Sequence, residues 1–511
     1  MNPFQLKDNA LFLSCWHERN RPIQLICYTI FIIGILLLTF FSIALFDQTP
    51  NMSWLILFYV LTTIQAVALL LIGSLFASSL SSRERTCATL DFHRNSPQPV
   101  IEKIIGLVLG ATWFEWSLFL LLFVIELPFA ILPQIALVDI LLFNASLMLT
   151  GIFFQTTASM LALLSPQKKR GSPFALLFLL LFLGWPLVGF IFASSQSSFF
   201  AHLFGATVLK YIYHEPFVRF NGWFYHFQLP LILLQGIVQL PLILLMIKGL
   251  KRIFNRPNSP AWSKLDVIGF FGFIFFMITG FFVANYSHFN IIVEQHSYGR
   301  YNTLSLGDFT LQSMGLFIIL FAAIGFFIGF FTVPSYFKRT KYLILSTKKS
   351  SALNNFFNDG ATSLPTILIY LAIGTIFMLP YIFLQRIPIP NALAILTMLS
   401  SHIIAFAGFL EFFRLSRFRS DKVFFVTTLI VLWVFVPWLV SLACGNKFET
   451  MVNIGTLSPF VGIAYIFTLI SAQIKLPYWP LFLPCLTGAI TWLLAWREHQ
   501  IIKQKIKYSQ Q

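Results

Sequence analysis

With 58% hydrophobic and only 10% charged residues over 511 positions, the chain is far from a soluble domain, which carries about 25% charged residues. No polar stretch is long enough to hold a large soluble domain. The net charge of +16 would suggest nucleic acid in a soluble protein. Here the basic residues collect in alternate loops, so the charge marks one membrane face, favours anionic lipid headgroups and excludes a nucleic-acid partner.

Residues Met1 to Arg21 mix polar residues throughout and lack the basic-then-apolar order of a cleavable signal. Phe4, Leu6, Leu11, Phe12 and Trp16 suit an amphipathic helix lying on the membrane face. About twenty apolar residues span a bilayer. That length predicts twelve spans, at 22–45, 53–79, 101–126, 136–164, 172–194, 227–249, 264–284, 310–333, 361–384, 391–412, 423–443 and 478–497. The expected fold class is therefore all-α, a polytopic helical membrane protein. Placing the N-terminus in the cytosol leaves Lys210, Arg219, Arg300, Arg386, Lys447 and Lys475 as the only outer ones among 34 Lys and Arg. Both termini are then cytosolic, and the expected location is a bacterial-type plasma membrane.

Prolines expose an internal repeat. Leu127-Pro128 corresponds to Leu379-Pro380 at an offset of 252, and Pro186 beside Trp185 to Pro437 beside Trp438 at 251. Leu229-Pro230 corresponds to Leu483-Pro484, and Arg85-Thr86 to Arg339-Thr340, both at 254. The spacing predicts two six-span halves, residues 1–255 and 256–511, in parallel orientation about an axis along the membrane normal. Two weakly charged, aromatic segments, Ala193–Phe227 and Gly445–Trp479, precede the last span of each half and are expected to dip into the outer leaflet as short helices.

The polar segment between the second and third spans stands apart. It runs RERTCATLDFHRNSPQPVIEKIIGLVLG from Arg83 to Gly110, longer than the two to eight residues that join packed helices. Glu84-Arg85-Thr86-Cys87-Ala88-Thr89-Leu90-Asp91, then Ser96-Pro97, then Ile104 through Ala111 resemble the E-R-E-x-G-T-L-E, T/S-P and V-L-G-K-L-L-G-A blocks of type-2 ABC exporter permeases, aligned without a gap. Thr86 replaces the second Glu, Ala88 the Gly and Leu107 the Lys. In that family the segment contains a coupling helix that rests in a groove of a separate ATPase subunit, after an N-terminal elbow helix like the one read from Met1 to Arg21. The resemblance implies that Glu84, Arg85, Thr89, Leu90, Asp91, Ser96 and Pro97 make that contact. Lys338 and Arg339 stand at the equivalent point of the second half, which lacks the TLD and SP elements. It also implies two copies of the ATPase as partners and ATP bound by them, with no cofactor in this chain. A basic loop held inside by its charge is the other reading of the segment.

Ionisable residues inside a span are costly and often functional. Glu115 and His402 fall mid-span and are the candidate lining of a polar path, or a helix-packing contact. Glu115 lies roughly 16 Å into its span at about 1.5 Å per residue. Glu294 and His296 are too loosely placed for a metal site, and five scattered Cys show no metal spacing, although Cys444 and Cys485 could pair. The chain has no P-loop, GxGxxG, HExxH or nucleophile elbow, so it is not expected to be an enzyme. The competing functions are a twelve-span secondary carrier, whose usual Gly- and Asp-Arg-rich loop is absent after span two, and a membrane-embedded lipid-processing enzyme.

Overall fold

A computed structural model describes residues 11–14, 50–86, 89–131, 136–164, 221–255, 262–287, 361–384, 387–415 and 482–510, with isolated positions 34, 314, 317, 318, 321, 322, 324, 325 and 344. The protein is a helical, multi-pass membrane protein. Seven helices among the described residues are long and apolar enough to cross a bilayer. They cover the expected spans two, three, four, six, seven, nine and ten. Spans five and eleven, nearly all of span one, most of span eight, and the segment holding Lys338 and Arg339 lie outside the described residues. The twelfth expected span becomes the first part of a longer helix whose apolar run ends at Arg497.

The chain divides into two compact units, Met1–Ala261 and Trp262–Gln511. In the first, α1 (Pro50–Ala66) continues through one π-helical stretch, Val67–Ile72, into α2 (Gly73–Thr86). The short α3 (Thr89–Asn95) follows, then α4 (Val100–Glu126), which ends in a 3-10 turn, Leu127–Ile131. Pro128 lacks a backbone donor, which explains why regular helix stops there. Next come α5 (Leu137–Leu164) and α6 (Leu231–Asn255). Helix α5 packs against α2, α4 and α6 and forms the centre of the unit. Residues 11–14 are helical, with Leu11 fully buried and Phe12 edge-on to Trp113 of α4 at 5.7 Å.

One expectation is corrected. Residues 221–227, read as the end of a helical outer segment, begin an antiparallel hairpin instead. Strand β1 (Asn221–Phe224) pairs with β2 (Phe227–Pro230) across a two-residue turn. Tyr225 opens the turn with φ 51°. Aromatic residues that suggested an apolar helix also favour strands, and the tight turn tips the balance. The span expected at 227–249 accordingly begins at Leu231.

In the second unit, α7 (Lys264–Ser287) packs on α8 (Leu364–Leu384), α8 on α9 (Ile389–Leu415), and α9 along α10 (Phe482–Gln510). Its core is aromatic. Phe282 stacks on Tyr381 with ring centroids 3.9 Å apart, and Phe321 on Tyr370 at 5.2 Å. The Tyr370 hydroxyl donates to Phe321 O at 2.6 Å, which satisfies the one polar atom such a ring buries. Gly374 makes this possible, because a Cβ there would lie 1.9 Å from Phe321 Cε2.

Candidate functional site: a docked short helix and a buried polar seam

The segment singled out by sequence folds back onto its own unit. Its arginines are anchors. Arg85, at the end of α2, donates through Nη1 to Leu163 O in the last turn of α5. Arg94 donates through Nη2 to Ile253 O in the last turn of α6 at 3.2 Å. Helix C-termini leave carbonyls without intrahelical donors and carry partial negative charge, so guanidinium groups suit both positions. Lys103, almost wholly buried, holds the other edge, donating to Arg94 O at 3.1 Å and Ser96 O at 2.9 Å. The Ser96 hydroxyl donates to His93 O at 2.8 Å, closing the end of α3.

Leu90 and Glu84 point inward, with 2% and 4% of their surface exposed. Glu84 lies 3.8 Å from His93. Burial pushes the His93 imidazole below its usual range, opposed by Glu84 and assisted by the nearby Lys103. Asp91 faces solvent and pairs with Arg94 on its own helix, and Arg83, Asn95 and Pro97 are exposed as well. Thr89 begins α3. The side chains left facing outward are Arg83, Asp91, Asn95 and Pro97, whereas Glu84 and Leu90 are buried.

Sequence reasoning missed a second feature. Amides and hydroxyls along α5 run through the first unit as a buried seam. Gln155 is its hub. Its Oε1 accepts from Thr112 Oγ1 at 3.0 Å and Trp116 Nε1 at 2.9 Å, and its Nε2 donates to Leu69 O at 3.1 Å. Leu69 belongs to the π-helical stretch, where the widened turn releases carbonyls from the regular ladder. Thr112 is the kink in α4, with φ −121° and ψ 15°. One amide therefore bridges the two irregular points of the neighbouring helices. Gly73 admits it, since a Cβ there would come within 2.7 Å of Gln155 Nε2.

Further along α5, Gln235 of α6 donates to Ser146 O at 3.0 Å and Thr150 Oγ1 at 2.7 Å and accepts from the Ser146 hydroxyl. Gln239 lies one turn on, its Oε1 accepting from Gln235 at 3.2 Å. At the other side, Gln65 donates to Asn144 Oδ1 at 2.8 Å, and Asn144 donates to Glu126 Oε2 at 2.9 Å. The signal was present in sequence as Gln and Asn within otherwise apolar runs, at helical spacing in the pair Gln235 and Gln239.

Glu115 is fully buried on α4 beside Trp116. His402 is buried on α9, its Nδ1 2.9 Å from Met398 O. The two belong to different units. In the second unit one group of buried polar contacts lies where α8 begins. Ser363 presents its backbone N–H at 3.1 Å and its hydroxyl to Glu411 Oε2, and His499 Nε2 lies 2.8 Å from Glu411 Oε1. Lys264 Nζ donates to Ala361 O at 2.8 Å and Thr362 O at 2.9 Å. Glu411 thereby caps the first turn of α8 and ties α8, α9 and α10 together. The carboxylate separates the Ser363 hydroxyl from the His499 imidazole, so the trio lacks the hydroxyl–imidazole contact that activates a nucleophile. Among the described residues no three His, Cys, Asp or Glu side chains gather as a metal site.

Compared with known proteins, the chain matches no family model, no curated protein and no solved structure.

Proposed function

We propose that the chain is the membrane domain of an ATP-driven exporter of the type-2 ABC class, energised by two copies of a separate ATPase. On this reading two parallel six-span repeats are fused in one chain, both termini face the cytosol, and the protein resides in a bacterial-type inner membrane. The observation that carries it is α3. A seven-residue helix sits between two spans, seated by Arg85, Arg94 and Lys103, with Asp91 and Asn95 one turn apart on its outer side. A rigidly docked helix of that kind transmits a push from a soluble partner to the spans that flank it. The order of contacts supports a repeat: α4, α5 and α6 pack in sequence in the first unit as α8, α9 and α10 do in the second.

The test is copurification of ATPase activity with the full chain. Asp91→Lys combined with Asn95→Lys is expected to reduce association at least tenfold, since like charge placed across a contact costs several kcal/mol. Arg85→Ala is expected to loosen α3 first. Full retention of a copurifying ATPase by the double variant, or absence of any ATPase with the wild type, refutes the assignment. The buried seam of Gln65, Asn144, Glu126, Gln155, Gln235 and Gln239 favours the second reading, a secondary carrier, which predicts substrate-dependent uptake in vesicles free of ATP.

A further inference from the structure

Glu126 ends α4, at the opposite end from α3. Its carboxyl is fully buried. Oε2 accepts from Asn144 Nδ2 at 2.9 Å, and Asn144 Nδ2 also donates to Ile140 O at 2.9 Å. Asn144 Oδ1 accepts from Gln65 Nε2 at 2.8 Å, and Gln65 Nε2 also donates to Phe119 O at 3.1 Å. Glu126 Oε1 and Gln65 Oε1 are among the buried side-chain oxygens that make no hydrogen bond within the described residues. Both belong to groups that flank the same Asn144 amide.

Among the described residues the surroundings offer no compensating charge. Leu61, Leu122, Phe129 and Ile140, each about one turn from Gln65, Glu126 or Asn144, belong to one apolar cluster with Phe58, Ala68 and Leu118. Helix α1 and the π-helical stretch carry no ionisable residue except Tyr59, which packs on that cluster. The basic groups of α2, α4 and α6 (Arg83, Arg85, Lys103, Lys248, Lys251 and Arg252) sit at the end where α3 lies. The other acids on packed elements are Glu84 beside α3, Glu102 in the first turn of α4, Glu115 three turns back on α4 and Asp139 in the first turn of α5. An ionised carboxylate held by one amide in such a place is strongly disfavoured.

A carboxylic acid reverses the polarity of one atom. Protonated Oε1 becomes a donor that needs an acceptor, and Gln65 Oε1 is an acceptor that lacks a donor. One proton satisfies both. We infer that Gln65, Asn144 and Glu126 form a proton-binding site, in which Glu126 rests as the neutral acid and donates to Gln65 Oε1. Loading takes one proton from water and forms one O–H bond, and release returns it. A divalent ion is a poor alternative, because about six to eight oxygen ligands surround Ca²⁺ and two are on offer. The site stands apart from the α3 contact and does not depend on it.

Infrared difference spectra of the full chain in lipid vesicles test the inference. Wild type minus Glu126→Gln at neutral pH is expected to show a protonated-carboxyl stretch that disappears as the pH is raised. Gln65→Leu is expected to shift that band to higher frequency, because its hydrogen-bond acceptor is lost. No band dependent on Glu126, or a band that sodium ions remove, overturns the proton site. A band that Gln65→Leu leaves unmoved overturns the bridge. Should Glu126→Gln fail to fold, carbodiimide adducts mapped on the wild type decide: an adduct at Glu126 that declines with rising pH supports the site, and an unmodified Glu126 overturns it.

Discussion

Replacing Gln155 by Leu isolates the hub of the buried seam with little change in volume. Three hydrogen bonds vanish, from Thr112, from Trp116 and to Leu69 O. Side-chain hydrogen bonds inside membrane proteins average about 0.6 kcal/mol, so three give about 2 kcal/mol. The Leu69 carbonyl is then left buried with that partner gone, at about 1–3 kcal/mol when unsatisfied, whereas the half-buried Trp116 indole N–H can turn to other partners at less cost. Thr112 suffers less, since its hydroxyl can turn to Val108 O at 2.8 Å. The expected loss is about 3–5 kcal/mol, read by reversible unfolding in mixed detergent micelles. Hydrogen exchange should accelerate most at the π-helical stretch and around Thr112, the two points that Gln155 joins. A loss below about 0.5 kcal/mol, or faster exchange spread evenly over α5, would refute the reasoning; it would mean that the helices hold their irregular turns without the amide.

Two other outcomes are expected. Gly374→Ala places a Cβ in the Phe321 ring, so the stacked Phe321 and Tyr370 must move apart, and overpacking of this kind costs about 1–3 kcal/mol in the same unfolding assay. The burial-depressed His93 makes the seat of α3 sensitive to acid. The unfolded chain takes up a proton near the ordinary imidazole value of about 6.5, whereas the folded His93 resists until lower pH. Stability from this group is thus present above about pH 6.5 and is lost as pH falls below it. Amide exchange in Thr89–Asn95 should speed up between pH 7.5 and 5.5 by more than intrinsic chemistry explains, and His93→Gln should remove the excess.

The sequence by itself was enough for the membrane class. Apolar length and the clustering of Lys and Arg are one-dimensional properties, and the helices at Val100–Glu126, Leu137–Leu164 and Leu364–Leu384 start and stop close to where the hydrophobic runs do. It also marked the break before the third span, because Pro97 cannot continue a helix without losing a backbone donor. The direction of each side chain on α3 was beyond it. A seven-residue helix has too few positions for its pattern to decide which face is inward, and the carbonyls at Leu163 and Ile253 that hold Arg85 of α2 and Arg94 of α3 lie 78 and 159 residues away from them. The hairpin at Asn221–Pro230 escaped for a related reason, since aromatic residues serve a strand and a membrane-surface helix equally well. The seam was hidden most completely. Gln65, Asn144 and Gln155 each read alone as an isolated polar residue in an apolar span, and Glu126 as an acid at a span end. Only packing brings Gln65 to Asn144 across 79 residues and Gln155 to Leu69 across 86. With water excluded, each such group must find its partner within the protein, and which partner it finds is fixed by the rotation of one helix against the next.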